Sequence, residues 1–293
     1  SFPTRRSSDL LSMVVFSATV LFTQVANATV WRVNNAPNNY FIQSTALNGS
    51  ACNHCFSDLQ SAINSILVNN YDTLHVEATP YSYEGITINR PLTLIGAGYY
   101  LIPGQNPGLQ FNTQVSIIQS IVVDTGAHGS VFEGLWINDG GAGIHEVRIY
   151  ASDITIKRCF IDGISFFNNL YNISDITITQ CYVNNTGNIG QSNAQNFPIL
   201  NLNIRNNHLH NVTLRSGHIG LFEQNVADNV NGYRDLTYRN NIITGSFTQN
   251  DNDGTNVLNN TFGFAVPAWL AGSTNEYELM TNVFINSSFT YDG

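Results

Sequence analysis

The sequence predicts an all-β fold, a right-handed parallel β-helix with a short N-terminal capping helix, on the strength of a repeat and the polarity around it. Seven segments share one spacing: Ile154-Thr-Ile156-Lys-Arg-Cys159, Ile176-Thr-Ile178-Thr-Gln-Cys181, Leu202-Asn-Ile204-Arg-Asn-Asn207, Gly220-Leu-Phe222-Glu-Gln-Asn225, Leu236-Thr-Tyr238-Arg-Asn-Asn241, Thr255-Asn-Val257-Leu-Asn-Asn260 and Tyr277-Glu-Leu279-Met-Thr-Asn282. The sixth residue of each falls in one column, at steps of 22, 26, 18, 16, 19 and 22 residues. Imperfect repeats of about twenty residues built on short strands mark a solenoid. The hand follows from the strong preference of parallel crossovers.

Strand side chains alternate between two faces. Three residues before the column stand Ile156, Ile178, Ile204, Phe222, Tyr238, Val257 and Leu279. Two residues after it stand Ile161, Val183, Leu209, Ala227, Ile243, Phe262 and Phe284. Both sets are apolar and are expected to point inward. Two residues before it stand Lys157, Thr179, Arg205, Glu223, Arg239, Leu258 and Met280, mostly polar and expected to face solvent. The alternation breaks at the column and then resumes, so a corner is expected there. Asn tolerates the left-handed conformation a corner needs, and its amide can donate and accept up and down a stack.

At the N-terminus, Ser1 to Leu10 reads as the translation of a sequencing adapter, an artefact to be set aside. Leu11 to Ala28 is an apolar run ending in Ala26-Asn27-Ala28, expected to be a truncated signal peptide cleaved after Ala28. That predicts a secreted or cell-surface protein whose mature chain has no transmembrane segment. Residues 29–115 are expected to form the cap and first coils, and 116–293 the β-helix coils, truncated at the C-terminus. Within the cap, Ser57-Asp-Leu-Gln60 has the spacing of a capping box, followed by a helical stripe of Leu59, Ile63, Ile66 and Leu67. Thr73–Glu77, Ile86–Ile88 and Leu92–Ile95 then read as early strands.

Asp58-Leu-Gln-Ser-Ala-Ile-Asn-Ser-Ile66, with Asp72 to Gly98 (DTLHVEATPYSYEGITINRPLTLIGAG), resembles the N-terminal region of secreted bacterial β-helix proteins of the pectin-lyase-like superfamily. The match covers roughly residues 56–98. It implies an architecture more than an activity, because that superfamily mixes polysaccharide lyases, hydrolases, esterases and adhesins. Ser216-Gly-His-Ile-Gly220 partly echoes a polygalacturonase motif, and Leu135-Trp-Ile-Asn-Asp139 faintly echoes a pectate lyase stretch. The Asp-Asp and Arg-x-Lys motifs of polygalacturonases and the Asp-His pair of pectate lyases are missing.

Composition excludes one class of partner. Eleven Lys and Arg stand against twenty Asp and Glu, for a formal charge of −9. A chain so acidic has no basic patch to neutralise phosphates, so nucleic acid is not expected. The residue set expected to carry chemistry is Arg205, His208, His210, Glu223 and Asp228, which flank one corner on adjacent coils. A His beside a carboxylate can do general acid–base work. The column Asp162, Asn184, His210, Asp228, Thr244 could hold Ca²⁺ on its carboxylates, although no cofactor is required. Aromatic residues in the longer excursions, Phe166, Phe167, Tyr171, Phe197 and Trp269, together with Arg239, are expected to bind sugar.

Cys52-Asn-His-Cys55 is expected to form a local disulfide rather than a zinc site. Cys159 and Cys181 read as small buried residues, with a disulfide between them left open. The functional expectation is therefore a monomeric exported β-helix engaging polysaccharide or a cell-surface glycan. It acts as a lyase or hydrolase, or alternatively as a non-catalytic adhesin or cell-surface structural protein.

Overall fold

A computed structural model describes residues 28–37, 54–98, 114–138, 146–167, 173–191, 199–214, 219–232, 236–249, 256–263, 278–280 and 282–284. The adapter segment and all of the leader before Ala28 lie outside them. So do Cys52, Tyr171, Phe197 and Trp269, and so do parts of the two residue runs that echo enzyme motifs, Ser216 to His218 and Asp139.

The chain is a parallel β-helix. Every strand pairing among the described residues is parallel, and the coils build three faces. The first face is a twelve-stranded sheet that begins Cys55–Phe56, Val30–Val33, Thr73–Val76 and continues through Ile154–Lys157, Ile199–Arg205 and Leu236–Arg239 to Glu278–Met280. The other sheet has thirteen strands and forks at Tyr182–Gln191. One branch, Ile117–Ile118, Trp136–Ile137 and Phe160–Ile161, makes the second face. The other, Ile86–Ile88, Ile121–Val123, Val147–Ile149 and Ile164–Phe166, makes the third.

The register follows the columns read from the sequence. Ile156, Ile178, Ile204, Phe222, Tyr238, Val257 and Leu279 are successive partners on the first face. Ile161, Val183, Leu209, Ala227, Ile243, Phe262 and Phe284 are successive partners on the second. Those of the two sets from Ile156 to Phe262 are buried to within 1% of complete. Each such large apolar side chain contributes about 2 kcal/mol by leaving water.

The corner differs from expectation in one respect. The left-handed residue is not the column Asn but the residue before it: Arg158, Gln180, Asn206, Gln224, Asn240 and Asn259, with φ of 52 to 56°. Gly134 holds the same place one coil earlier at φ 66°. Turning that residue frees the column side chain to point inward. Asn207, Asn225, Asn241 and Asn260 are accordingly buried. The backbone N–H and Nδ2 of Asn225 donate to Asn241 Oδ1 at 3.0 and 3.2 Å, and Nδ2 also donates to the Ile204 carbonyl at 2.9 Å. Asn207, Asn241 and Asn260 repeat the arrangement. Each amide thus satisfies backbone groups that no strand reaches.

The thiols of Cys159 and Cys181 occupy the same column as free, buried groups, pointing at the Phe132 and Ile156 carbonyls at 3.7 and 3.6 Å. Burial, reinforced by contact with Cys181, pushes the Cys159 thiol well above the usual range, so it stays protonated. Cys55 is disulfide-bonded.

The cap also departs from expectation. A helix, α1, spans Leu59–Asn64, and its N-cap is Asp58, whose carboxylate accepts from the Ser61 N–H at 2.6 Å. Ser57 is not the cap. Gln60, expected to close a capping box, instead clamps the helix to the third face. It accepts from Thr87 N–H at 2.7 Å and donates to the Thr87 carbonyl at 3.1 Å. Leu59 and Ile63 are buried as expected, but Ile66 and Leu67 are 94% and 59% exposed. The helix stops at Ser65, which turns extended, and Val68 comes inward in their place.

Candidate functional site

The corner sorts the outward side chains onto different faces. Arg205, Glu223 and Arg239 leave the first face, each two residues before the column. Glu223 Oε1 and Arg239 Nε are 2.9 Å apart, an ion pair at the surface. Arg205 is exposed and makes no ion pair among the described residues. His208, His210 and Asp228 leave the chain beyond the corner, on His208–Thr213 and Val226–Gly232. The five residues expected to act together are therefore divided. Two flank the corner on one side, Glu223 paired with Arg239 and Arg205 alone, and three gather on the other.

On the second side the residues pack as two rows. Three residues after the column come Asp162, Asn184, His210, Asp228 and Thr244. Asn184 Nδ2 donates to Asp162 Oδ1 at 2.9 Å. His210 Nδ1 lies 2.5 Å from Asp228 Oδ2, and the Thr244 hydroxyl donates to Asp228 Oδ1 at 2.7 Å. The Thr244 hydrogen bond, opposed by partial burial and aided by His210 and by the charge of His208, holds the Asp228 carboxyl below its ordinary range. Asp228 therefore stays ionised at neutral pH and fixes the orientation of the His210 ring.

One residue after the column comes the second row: Trp136, Phe160, Tyr182, His208, Val226 and Ile242, successive partners across adjacent coils. Trp136 and Phe160 stack at 4.3 Å and 24°, and Phe160 and Tyr182 at 5.2 Å and 12°. His208 meets Tyr182 edge-on at 4.9 Å and 61°. The stacked rings share their faces along the solenoid axis and turn their edges outward. Val226 and Ile242 continue the apolar row, each more than a third exposed. Sequence reasoning singled out only His208 from this row. Part of the signal was present, since the alignment that exposes the column lines up Phe160 and Tyr182 one position later, while Trp136 lies one coil before the aligned segments.

The loop aromatics fare differently. Phe166 is wholly buried, so its ring belongs to the core. Phe167 lies on the third face, stacked on Tyr150 at 5.0 Å with the Arg148 guanidinium 5.8 Å from its centroid. Arg148 in turn pairs with Glu146 at 2.7 Å, and Ser165 donates to the same carboxylate at 2.5 Å. This cluster is already internally satisfied.

Among the described residues no three His, Cys, Asp or Glu side chains come together as a metal site. Asp162 and Asp228 stand three coils apart in their row, about 14 Å at the parallel-strand spacing, too far to share one Ca²⁺. Among the described residues no helix is long and apolar enough to cross a membrane. Comparison with protein-family models, with curated proteins and with solved structures finds no match to the chain.

Proposed function

We propose that the protein is an exported β-helix that engages an extracellular polysaccharide along its second face. The observation that carries this reading is the two-row band, a mainly aromatic and apolar row from Trp136 to Ile242 over six coils beside a polar row from Asp162 to Thr244 over five. Adjacent coils advance by about 4.8 Å, close to the advance of one sugar in an extended glycan. A polysaccharide presents the same alternation, apolar C–H surface beside hydroxyl groups, at the same interval. The apolar run before Ala28 and the disulfide at Cys55 support export.

The band reads better as a binding surface than as an active site of a known type. Among the described residues no nucleophile or second catalytic carboxylate stands beside His210. One observation favours catalysis instead: His210 is held by an ionised carboxylate, the arrangement of a general base. Affinity electrophoresis against a glycan panel tests binding, and the same mixtures assayed for unsaturated products and reducing ends test turnover. Tyr182→Ala should weaken retardation at least threefold while circular dichroism stays unchanged. Retardation equal to the unmutated protein would remove the band from the reading. Product release lost in His210→Ala would establish the catalytic alternative.

A further inference from the structure

The band differs from the rest of the described surface in its charge. Its two rows, from Trp136 to Thr244, contain no Lys or Arg. Their only carboxylates are Asp162 and Asp228. Elsewhere the described cations are engaged. Arg32 pairs with Glu77, Lys157 and Arg158 pair with Glu133, Arg148 with Glu146, and Arg239 with Glu223. Arg90 is spent on the Ser65 and Val68 carbonyls. Arg205 is left, and it lies on the first face, across the corner from the band.

From this distribution we propose that the ligand of the band is an uncharged polysaccharide, and that Asp162 and Asp228 act as specificity residues that reject polyanionic chains. The inference rests on the polysaccharide reading above. A polyuronate laid along the band would bring a carboxylate near Asp162 or Asp228, beside which no Lys or Arg stands among the described residues, the His210 ring being already paired with Asp228. Like charges desolvated together cost binding energy. A neutral sugar hydroxyl, by contrast, donates to a carboxylate in a charge-assisted hydrogen bond. Asn184, between the two carboxylates, and Thr244, just beyond Asp228, add an uncharged amide and hydroxyl. Asp228 is suited to this role because Thr244 and His210 keep it ionised.

The test is affinity electrophoresis of the whole chain at pH 7 and low salt, in gels carrying neutral β-glucan, neutral mannan, polygalacturonate or deacetylated chitosan. The unmutated protein should be retarded by at least one neutral glycan and not by polygalacturonate. Asp162→Asn combined with Asp228→Asn should bring polygalacturonate retardation up to that of the neutral glycan. The same change should lower neutral-glycan affinity by about two- to tenfold, because a charged acceptor is lost. A salt series on the unmutated protein gives a measurement free of folding effects. At 1 M salt, where screening acts over about 3 Å, polygalacturonate retardation should emerge. Retardation by polygalacturonate equal to or above that by neutral glycans at low salt overturns the inference, as does retention by chitosan alone. If no glycan in the panel retards the protein, the polysaccharide reading itself fails.

Discussion

Gln224 shows what a single corner residue contributes. It holds φ 55° with its side chain exposed, while its neighbour Asn225 is buried. A β-branched residue at Gln224 would meet the left-handed penalty in full. Gln224→Val should destabilise by about 1–2 kcal/mol in urea, and Gln224→Gly should not. Asp228 gives a residue-scale prediction in pH. Its folded pKa lies below the unfolded value, so the stability it adds is present above about pH 4 and lost as pH falls through the folded pKa. Thr244→Val removes the largest cause and should move the Asp228 titration up toward the ordinary carboxylate range, read by NMR of the side-chain carboxyl. An unchanged titration would mean that the Thr244 bond does not form in solution. The column positions were legible in the sequence because burial repeats at each coil. The left-handed residue was placed one position late because periodicity locates a corner without saying which of its two residues flips.

Elements depend on how closely their backbones approach. Gly220 opens the stretch of Ile219–Glu223 that pairs with Ile199–Arg205, and a Cβ there would lie 2.0 Å from the Leu202 carbonyl oxygen. Backbone cannot yield as a flexible side chain does. Gly220→Ala should therefore cost at least about 1–3 kcal/mol, seen as a lower urea midpoint at an unchanged slope. The helix α1 was legible in existence but not in its ends. Asp58 and Ser57 both suit an N-cap, and the choice is made by Gln60, which is drawn to Thr87 by a tertiary contact that no local pattern records.

At the scale of the whole molecule, each coil pairs with its immediate neighbours, so stability is close to a sum of coil and interface contributions. Ile156→Ala and Ile243→Ala sit on coils that do not touch. Their effects should add to within about 0.5 kcal/mol, and a larger coupling measured in a double-mutant cycle would show cooperativity beyond nearest neighbours. The fold was legible at this scale because it is one unit repeated. The band was not, because its membership depends on which side of the corner a column leaves. Arg205 and His208 are three residues apart in sequence and on different faces in space. Phe160 and Tyr182 stand one position past the column, where only His208 was read, and Trp136 lies one coil before the seven aligned segments.

The amide ladder has a direction. Every rung from Asn207 to Asn260 donates forward, toward the C-terminal coil, and accepts from the rung behind. A break in such a one-way relay is felt on one side only. Replacing Asn225 by Ala strands the Asn207 N–H and takes a donor from the Ile204 carbonyl, both on the coil before it. The Asn241 oxygen keeps the backbone donor of residue 225. Hydrogen exchange in Asn225→Ala should therefore quicken at the amide of Asn207, while that of Asn241, bonded onward to Asn260, keeps its protection. Equal loss at both amides would show that the relay carries no polarity. If the asymmetry holds, damage to this solenoid travels backward along the chain, and the coils toward the N-terminus are the ones that register it.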